Sequence, residues 1–500
     1  NEELFSKVTE QEARILTLAS VFRYPAPADA LYALEDVDPA TLESLVEQSL
    51  LREVSTKVFD VHDIVRSFFV EMSSPRDRKR FHRLAAQHYL SIAESDPLEA
   101  LYHLVEAADT TGAARLAVKE GRGILRSGHS EELLRRLDTL LPTVEDPGHS
   151  AELRLLKAHA LNFRGELDQA VALYGEILQL PADAALQPKI AEAHRSLGDV
   201  LRREGRAPAA EEHFDAALRL YRTLERSEGE AETLLSMGTL AEDRADFPRA
   251  ERLYERAINL SQARGMRLLE AEAQFAFSRI LGARGALDGA LDRKRRALAI
   301  AEGLADWHLQ ARFDISTGAT LYELRRYDEA MVAYEHGIDT ARRIGDLRML
   351  AYGLYNAAGA YIRQDELLRA ESFLKEAETL FRKLREPLMD ALLLSYFGAL
   401  WEKRGKWGIA KQNLSASLSK LREGGHDFDY ARVAVTAADL FHRNGETETA
   451  TSLLEDAITV GKRLRATGLV EEAQQDLVRL APSSKDRRDG KNTPGPTATS

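Results

Sequence analysis

The chain contains no cysteine. Disulfides, thiolate zinc sites, iron–sulfur clusters and cysteine nucleophiles are excluded together. The same absence fits a reducing compartment, so a cytoplasmic location is expected. Proline is scarce at 15 residues and aromatic side chains make up only 7% of the chain. With abundant alanine, leucine and charged residues, that scarcity favours helix. No apolar run approaches the ~18 residues that a membrane span needs. The longest, Ala391 to Trp401, is interrupted by Ser395, so no membrane partner is expected. The opening residues, Asn1 and two glutamates, have neither the basic nor the apolar part of a secretory signal.

Catalytic signatures are also missing. There is no HExxH, no GxSxG and no G-x4-GK[ST] phosphate loop, and the 13 histidines form no metal-ligand cluster. His82 and His88 lie six apart, on different helix faces. Gly121-Arg122-Gly123 fails the dinucleotide pattern because Arg126 stands where its last glycine belongs. No catalytic residue, metal site or cofactor is expected, and the chain is not expected to be an enzyme. Positive charge is in deficit too: the net charge is −12, which opposes bulk nucleic-acid binding.

What the chain does have is a period. Five hundred residues exceed one hydrophobic core and suggest about three domains or one repeat array. Residues 170, 210, 250, 290, 330, 370, 410 and 450 are all alanine. At an alanine frequency of ~0.13, chance would do this on the order of once in ten million. A small residue recurs at 198, 238, 278, 318, 358, 398 and 438. A turn former recurs in most units of the series that includes Gly165, Gly205, Gly285, Gly405 and Gly445. In one unit, a helix over 191–203 carries Gly198 on its packing face and ends at Gly205. A second helix then buries Ala210, Phe214, Ala217, Leu218 and Tyr221 at helical spacing. One such hairpin cannot cover its own apolar face, so neighbours must stack.

Segments such as "LGDVLRREGRAPAAEEHFDAAL" and "TGATLYELRRYDEAMVAYEHGI" resemble the tetratricopeptide repeat (TPR). The resemblance covers 151–470 in eight units. The period is 40 rather than the common 34, which is similar to the repeats of kinesin light chains and of large signalling ATPases. Repeat four departs from the pattern, with Lys294 where an aromatic residue or leucine is usual. A capping helix is expected over 471–481 and a disordered tail over 482–500.

The first 150 residues read differently. A helix is predicted over 9–22, a second from Pro25, Pro27 and Asp29, and a third from Asp38-Pro39 to Leu50. Two short strands follow, about a turn at Ser55-Thr56-Lys57, and then a helix from Ile64 to Met72. That order is a winged-helix pattern with a small β-wing over 1–75, followed by a helical linker over 76–150. Residues 1–72 hold six Lys/Arg against fourteen Asp/Glu. The third helix offers Glu43, Glu47 and Gln48 but no cation, so DNA reading is not expected. The basic runs 76–83 and 292–295 read as solvated helix faces.

Val61-His62-Asp63-Ile64-Val65-Arg66 resembles the Met-His-Asp segment of STAND signal-transduction ATPases, with valine in place of methionine. The resemblance implies that His62 touches a nucleotide phosphate and that Asp63 fixes its tautomer. On spacing alone, His62 reads as a partly buried histidine at a strand end. Without a phosphate loop the chain reads as the C-terminal part of such a protein. ATP or ADP is then expected only with a nucleotide-binding domain upstream of Asn1, and the start at Asn rather than Met fits that expectation.

In TPR stacks the first helix of each repeat lines the concave face, at positions two, five, nine and twelve. Early repeats place Glu192, Arg195, Asp199, Arg202, Glu232 and Glu242 there. Middle repeats place Phe275, Arg279, Arg312, Ile315, Tyr322, Tyr352, Tyr355 and Ile362. Asn356 is similar to the asparagine of kinesin-light-chain-type repeats, which implies a bond to a bound peptide's backbone. These residues are the candidate ligand face for a peptide, protein or small ligand; the alternative is that the aromatics pack between repeats. If they bind, replacing Tyr355 and Asn356 by alanine removes binding at little cost in stability. Three functions fit: the sensor part of a STAND ATPase relaying through its winged helix, a stand-alone TPR scaffold, or a ligand-controlled transcription regulator.

Overall fold

Thr9 starts the first helix with a reciprocal cap. Its hydroxyl accepts from the Glu12 amide, while Glu12 accepts from the Thr9 amide at 2.8 Å. The computed structural model describes residues 8–33, 37, 39–92, 96–181, 183–464 and 466–480. Asp38 and the tail 481–500 lie outside the described residues. The N-terminal elements are α1 (Glu10–Val21), β1 (Ala26–Pro27), α2 (Ala28–Leu31), α3 (Pro39–Glu47), β2 (Arg52–Ser55), β3 (Val58–Asp60) and α4 (Asp63–Met72). The three strands form one antiparallel sheet in the order β1-β3-β2. Ala26 pairs with Phe59 and Glu53 also pairs with Phe59, with a bulge before Ser55.

The sequence predicts two strands; the third is β1. It is two residues long and ends in proline, which an edge strand tolerates because no ladder donor is needed there. Pro25 and Pro27 mark this strand rather than the opening turn of a helix, and α2 behind it is a single turn. Ile15, Leu18, Phe22, Leu45, Phe59 and Val61 form the core beneath.

Four helices follow: α5 (Pro75–Ser91), α6 (Pro97–Glu106), α7 (Thr110–Arg126) and α8 (Ser130–Leu140). Arg23, just after α1, ion-pairs with Glu99 on α6 and Glu132 on α8. Its guanidinium and that of Arg136 lie over the Tyr102 ring, at 4.4 and 4.6 Å from the centroid. Beneath them the Nδ1 atoms of His82 and His103 are 2.9 Å apart, one donating to the other, with both rings buried. Burial pushes His82 down to about 4, assisted by Arg78, and His103 down to about 3, assisted by His82 and two arginines. Both rings are therefore neutral in the folded chain and take up protons first when it unfolds. Stability is full above the unfolded value near 6.5 and falls as pH drops through and below it. Denaturation at pH 7.5 and 6.0 should differ by about 1 kcal/mol per histidine. A flat profile over that interval would mean that the pair titrates in the folded chain as it does in the unfolded one, and a stability that rises as pH falls would mean that the pair is already charged.

Helix pairs fill the rest. They are α9 (Pro147–Arg164) with α10 (Leu167–Leu178) and α11 (Gln187–Arg203) with α12 (Ala207–Thr223), then α13 (Ser227–Asp243) and α14 (Phe247–Ala263). After these come α15 (Arg267–Ala283) with α16 (Leu287–Gly303), α17 (Trp307–Glu323) with α18 (Tyr327–Ile344) and α19 (Leu347–Arg363) with α20 (Leu367–Leu384). The last are α21 (Pro387–Lys403) with α22 (Trp407–Glu423), α23 (Asp427–Arg443) with α24 (Thr447–Leu464), and a closing helix α25 (Thr467–Leu480). The chain forms two compact units, residues 1–240 and 241–500. Within each, antiparallel pairs stack on their neighbours, so the fold is an all-α TPR solenoid with one small sheet. Among the described residues no helix is long and apolar enough to cross a membrane.

The period-40 alanines all have 0% exposure. The small-residue column works beside them. A Cβ at Gly198 would sit 2.6 Å from the Phe214 ring, and one at Gly318 would sit 2.7 Å from Tyr334, so an aromatic of the second helix lies directly on the first.

Candidate ligand-binding face

The predicted middle-repeat residues lie on α15, α17 and α19, within the second unit. They separate into packing residues and groove residues. Phe275 stacks on Phe313 at 4.7 Å, and the Arg312 guanidinium lies 5.1 Å from one ring centre and 5.0 Å from the other. Arg312 also donates to Glu272 at 2.7 Å, and Arg279 to Glu242 at 2.8 Å. These two arginines thus already hold carboxylates. Ile315 is buried against Gly337 and Gly353, and Tyr352 packs edge-on against Phe381. Asn356 stays half-buried on α19.

Tyr322, Tyr355 and Ile362 come together in the wall of a cavity of about 380 Å³. Its other walls come from α21 and α23, and Leu414 of α22 contributes to the lining. Tyr355 stacks on Tyr396 with ring centres 4.6 Å apart and planes 21° from parallel. Burial pushes both phenols up, and Arg432 beside them partly offsets the effect. Arg363, Lys403, Arg432 and Arg443 line the cavity with Glu402 and Asp439. The groove rule applied to the middle repeats stops at repeat six and misses these residues. Carried on to repeats seven and eight, it selects Ser395, Ala399, Glu402, Arg432 and Asp439. Tyr396 holds the register position of Asn356.

Of the early-repeat set, Arg195, Asp199 and Glu232 form a charge network in the first unit. Arg195 lies 3.5 Å from Asp199 and 3.3 Å from Glu232, and the Ser236 hydroxyl donates to Asp199. Burial pushes Asp199 and Glu232 up, against the pull of Arg195. Lys294, within a run read as a solvated face, is instead buried at 7% exposure. Its ammonium donates to the Ser316 carbonyl at 2.8 Å and the Thr320 hydroxyl at 2.6 Å. The neighbouring Arg296 does stay exposed.

His62 caps α4 through its backbone, and the side chains of His62 and Asp63 are exposed. They share a depression of about 600 Å³ with Arg52, Glu53 and Asp60. Arg66, the last residue of the same motif, turns the other way. It donates to the carbonyls of Ser20 and Phe22 and to Asp60, tying the end of α1 to β3.

Residues 189–263 match the model of the tetratricopeptide repeat family. The sequence matches no curated protein. A STAND protein with a tetratricopeptide repeat sensor from Pyrococcus horikoshii is similar in fold, with a TM-score of 0.57 and 19% identity. The likeness covers 85% of this chain and 66% of that one, so this chain spans just under two thirds of its length. A Rap protein complexed with competence and sporulation factor gives a TM-score of 0.52 at 13% identity, over 77% of this chain and 99% of its own. The apo quorum sensor NprR from B. thuringiensis also gives 0.52 at 13%, over 71% and 99%. At such identities the likeness establishes the fold.

Proposed function

We propose that this chain is the sensor and relay part of a STAND-type signalling ATPase, with a protein, peptide or small ligand held on the concave face of its repeats. The reach of one likeness carries the reading. Coverage of 85% by the STAND protein is more than the repeats and tail can supply, so it extends into the first 150 residues. There the helices and small sheet are read as a winged helix, placed between a nucleotide-binding domain and the repeats.

His62 fits one contact to a nucleotide. An exposed imidazole at the N-terminus of a ten-residue helix can donate to a phosphate oxygen, and helix N-termini favour anions. The other phosphate contacts belong to the upstream domain, which supplies the bound ATP or ADP. Asp63 acts by fixing the imidazole tautomer.

The reading frame that contains this chain is expected to encode a G-x4-GK[ST] loop before Asn1. In the protein expressed from that frame, His62→Ala should change retention of bound nucleotide without changing ligand binding to the repeats. A start codon at this position with no such loop before it would sink the relay. One observation favours a second reading in that event. The Rap and NprR structures are matched over 99% of their solved chains, so a comparable stack makes up nearly the whole of each. The chain is then a TPR scaffold for protein or peptide partners.

A further inference from the structure

The cavity beside Tyr355 is unevenly charged once its own pairs are counted. Both of its carboxylates pair with Arg443, which lies 3.5 Å from Glu402 and 3.1 Å from Asp439, and after the Tyr322 phenol the Asp439 charge also helps hold Arg363 above its usual value. Lys403 turns to Asp365 at 3.5 Å, and Arg432 to Asp429 at 3.3 Å. Arg363 differs. Among the described residues it has no ion pair, and its one hydrogen-bond acceptor is the neutral Tyr322 phenol, at 3.2 Å from Nε. Among the described residues its terminal guanidinium nitrogens, the pair that can grip a carboxylate side-on, hold no hydrogen bond. The same lining includes the apolar side chains of Ile362, Leu414, Val433 and Leu440.

Gly359 completes the wall. A Cβ there would lie 2.9 Å from the Tyr396 hydroxyl. The missing side chain lets Tyr396 lie across α19 and stack on Tyr355. The volume, about 380 Å³, is near the low end of the range for small-ligand sites.

We infer that this cavity binds a carboxylate carried on a short apolar group, with Arg363 on the carboxylate and the apolar body against Ile362, Leu414 and Leu440. The inference rests on the reading of the concave face as the ligand face and gives that face its chemistry. The carboxylate is the C-terminus of a peptide or belongs to a free small acid.

Calorimetric titration of the whole chain separates these sources. The probes are octanoate against octanamide, and N-acetyl-Leu-Leu as the free acid against its C-terminal amide. In the pair that fits, the acid should bind at least about tenfold more tightly than the amide, and the advantage should shrink as salt is added. Arg363→Gln should erase it with thermal unfolding unchanged. Lys420→Gln, an exposed change outside the cavity, should keep it. Gly359→Ala should weaken acid and amide alike by displacing Tyr396. Binding of the octanoate pair alone identifies a free acid, and of the dipeptide pair alone a peptide terminus. Equal binding of acid and amide overturns the inference while leaving the concave face a ligand site. It is also overturned by no binding of any probe, or by an acid preference that survives Arg363→Gln.

Discussion

Replacing Lys294 by leucine should raise stability by about 2–3 kcal/mol at pH 7. In the other repeats this position is Tyr174, Phe214, Tyr254, Tyr334, Leu374, Leu414 and Leu454. Here burial pushes the lysine down to about 8, with Glu323 opposing the shift. An unfolded lysine titrates near 10.4, so the unfolded chain holds this proton more firmly than the folded one. Folding carries the full penalty below pH 8 and sheds it as pH rises from about 8 towards 10.4. Leucine removes the penalty and gives up two hydrogen bonds. The Thr320 hydroxyl keeps a contact with the Ser316 carbonyl at 3.5 Å. Urea unfolding of both chains between pH 7 and 10.5 checks the claim, because the gap between them should close with rising pH. A constant gap would assign the gain to packing, and equal stability at pH 7 would refute it. Residues of its own helix enter two apolar clusters. One holds Ala271, Ile300 and Phe313, and the other runs from Leu291 to Ala473.

The repeat was legible because its physics is local. An alanine every 40 residues meant a site with no room for more, and each such site is closed to solvent. The turn column was placed by the period even where its residue is no turn former. Ala245, Arg325 and Asp365 all adopt positive φ, at 57°, 59° and 64°. The neighbouring helices impose that geometry at the cost of roughly 1–2 kcal/mol per residue. Composition alone would have placed those turns elsewhere. The edge strand Ala26–Pro27 left no periodic signal, since two residues cannot alternate.

The site was legible only in part, because spacing assigns a residue to a face and not to a partner. Phe275 and Tyr355 occupy the same position of their repeats. One stacks on Phe313 and is overlaid by Arg312, while the other stacks on Tyr396 in the cavity wall. The difference depends on residues about 40 positions further along the chain. The same holds for the arginines. Arg279 and Arg312 meet Glu242 and Glu272, the acids one repeat back, whereas Arg363 meets the phenol of Tyr322. A groove rule applied repeat by repeat sees the cation and misses its neutralisation.

That distinction changes what Tyr355→Ala should do. Treated as a groove residue, Tyr355 could be removed with Asn356 at little cost to the fold. It is instead 7% exposed and belongs to the main core cluster of the second unit. Truncation deletes a buried ring and its stack on Tyr396, and should cost about 3–4 kcal/mol. Asn356→Ala, at a half-buried position on the same helix, should cost less than about 0.5 kcal/mol. Tyr355→Phe keeps the ring and the stack and loses the phenol's hydrogen bonds with Tyr396 and Arg432, so it should cost about 1–2 kcal/mol, less than the alanine. Chemical unfolding of the three variants gives the order directly. If Tyr355→Ala were as stable as Asn356→Ala, the ring would be a free groove side chain and the packing account would fail. Given the expected order, a binding test on Tyr355→Ala is confounded by the fold, and Tyr355→Phe and Asn356→Ala are the variants that read recognition. Loss of ligand in Asn356→Ala with an intact unfolding profile would place the contact on the amide, one residue from the stacked pair.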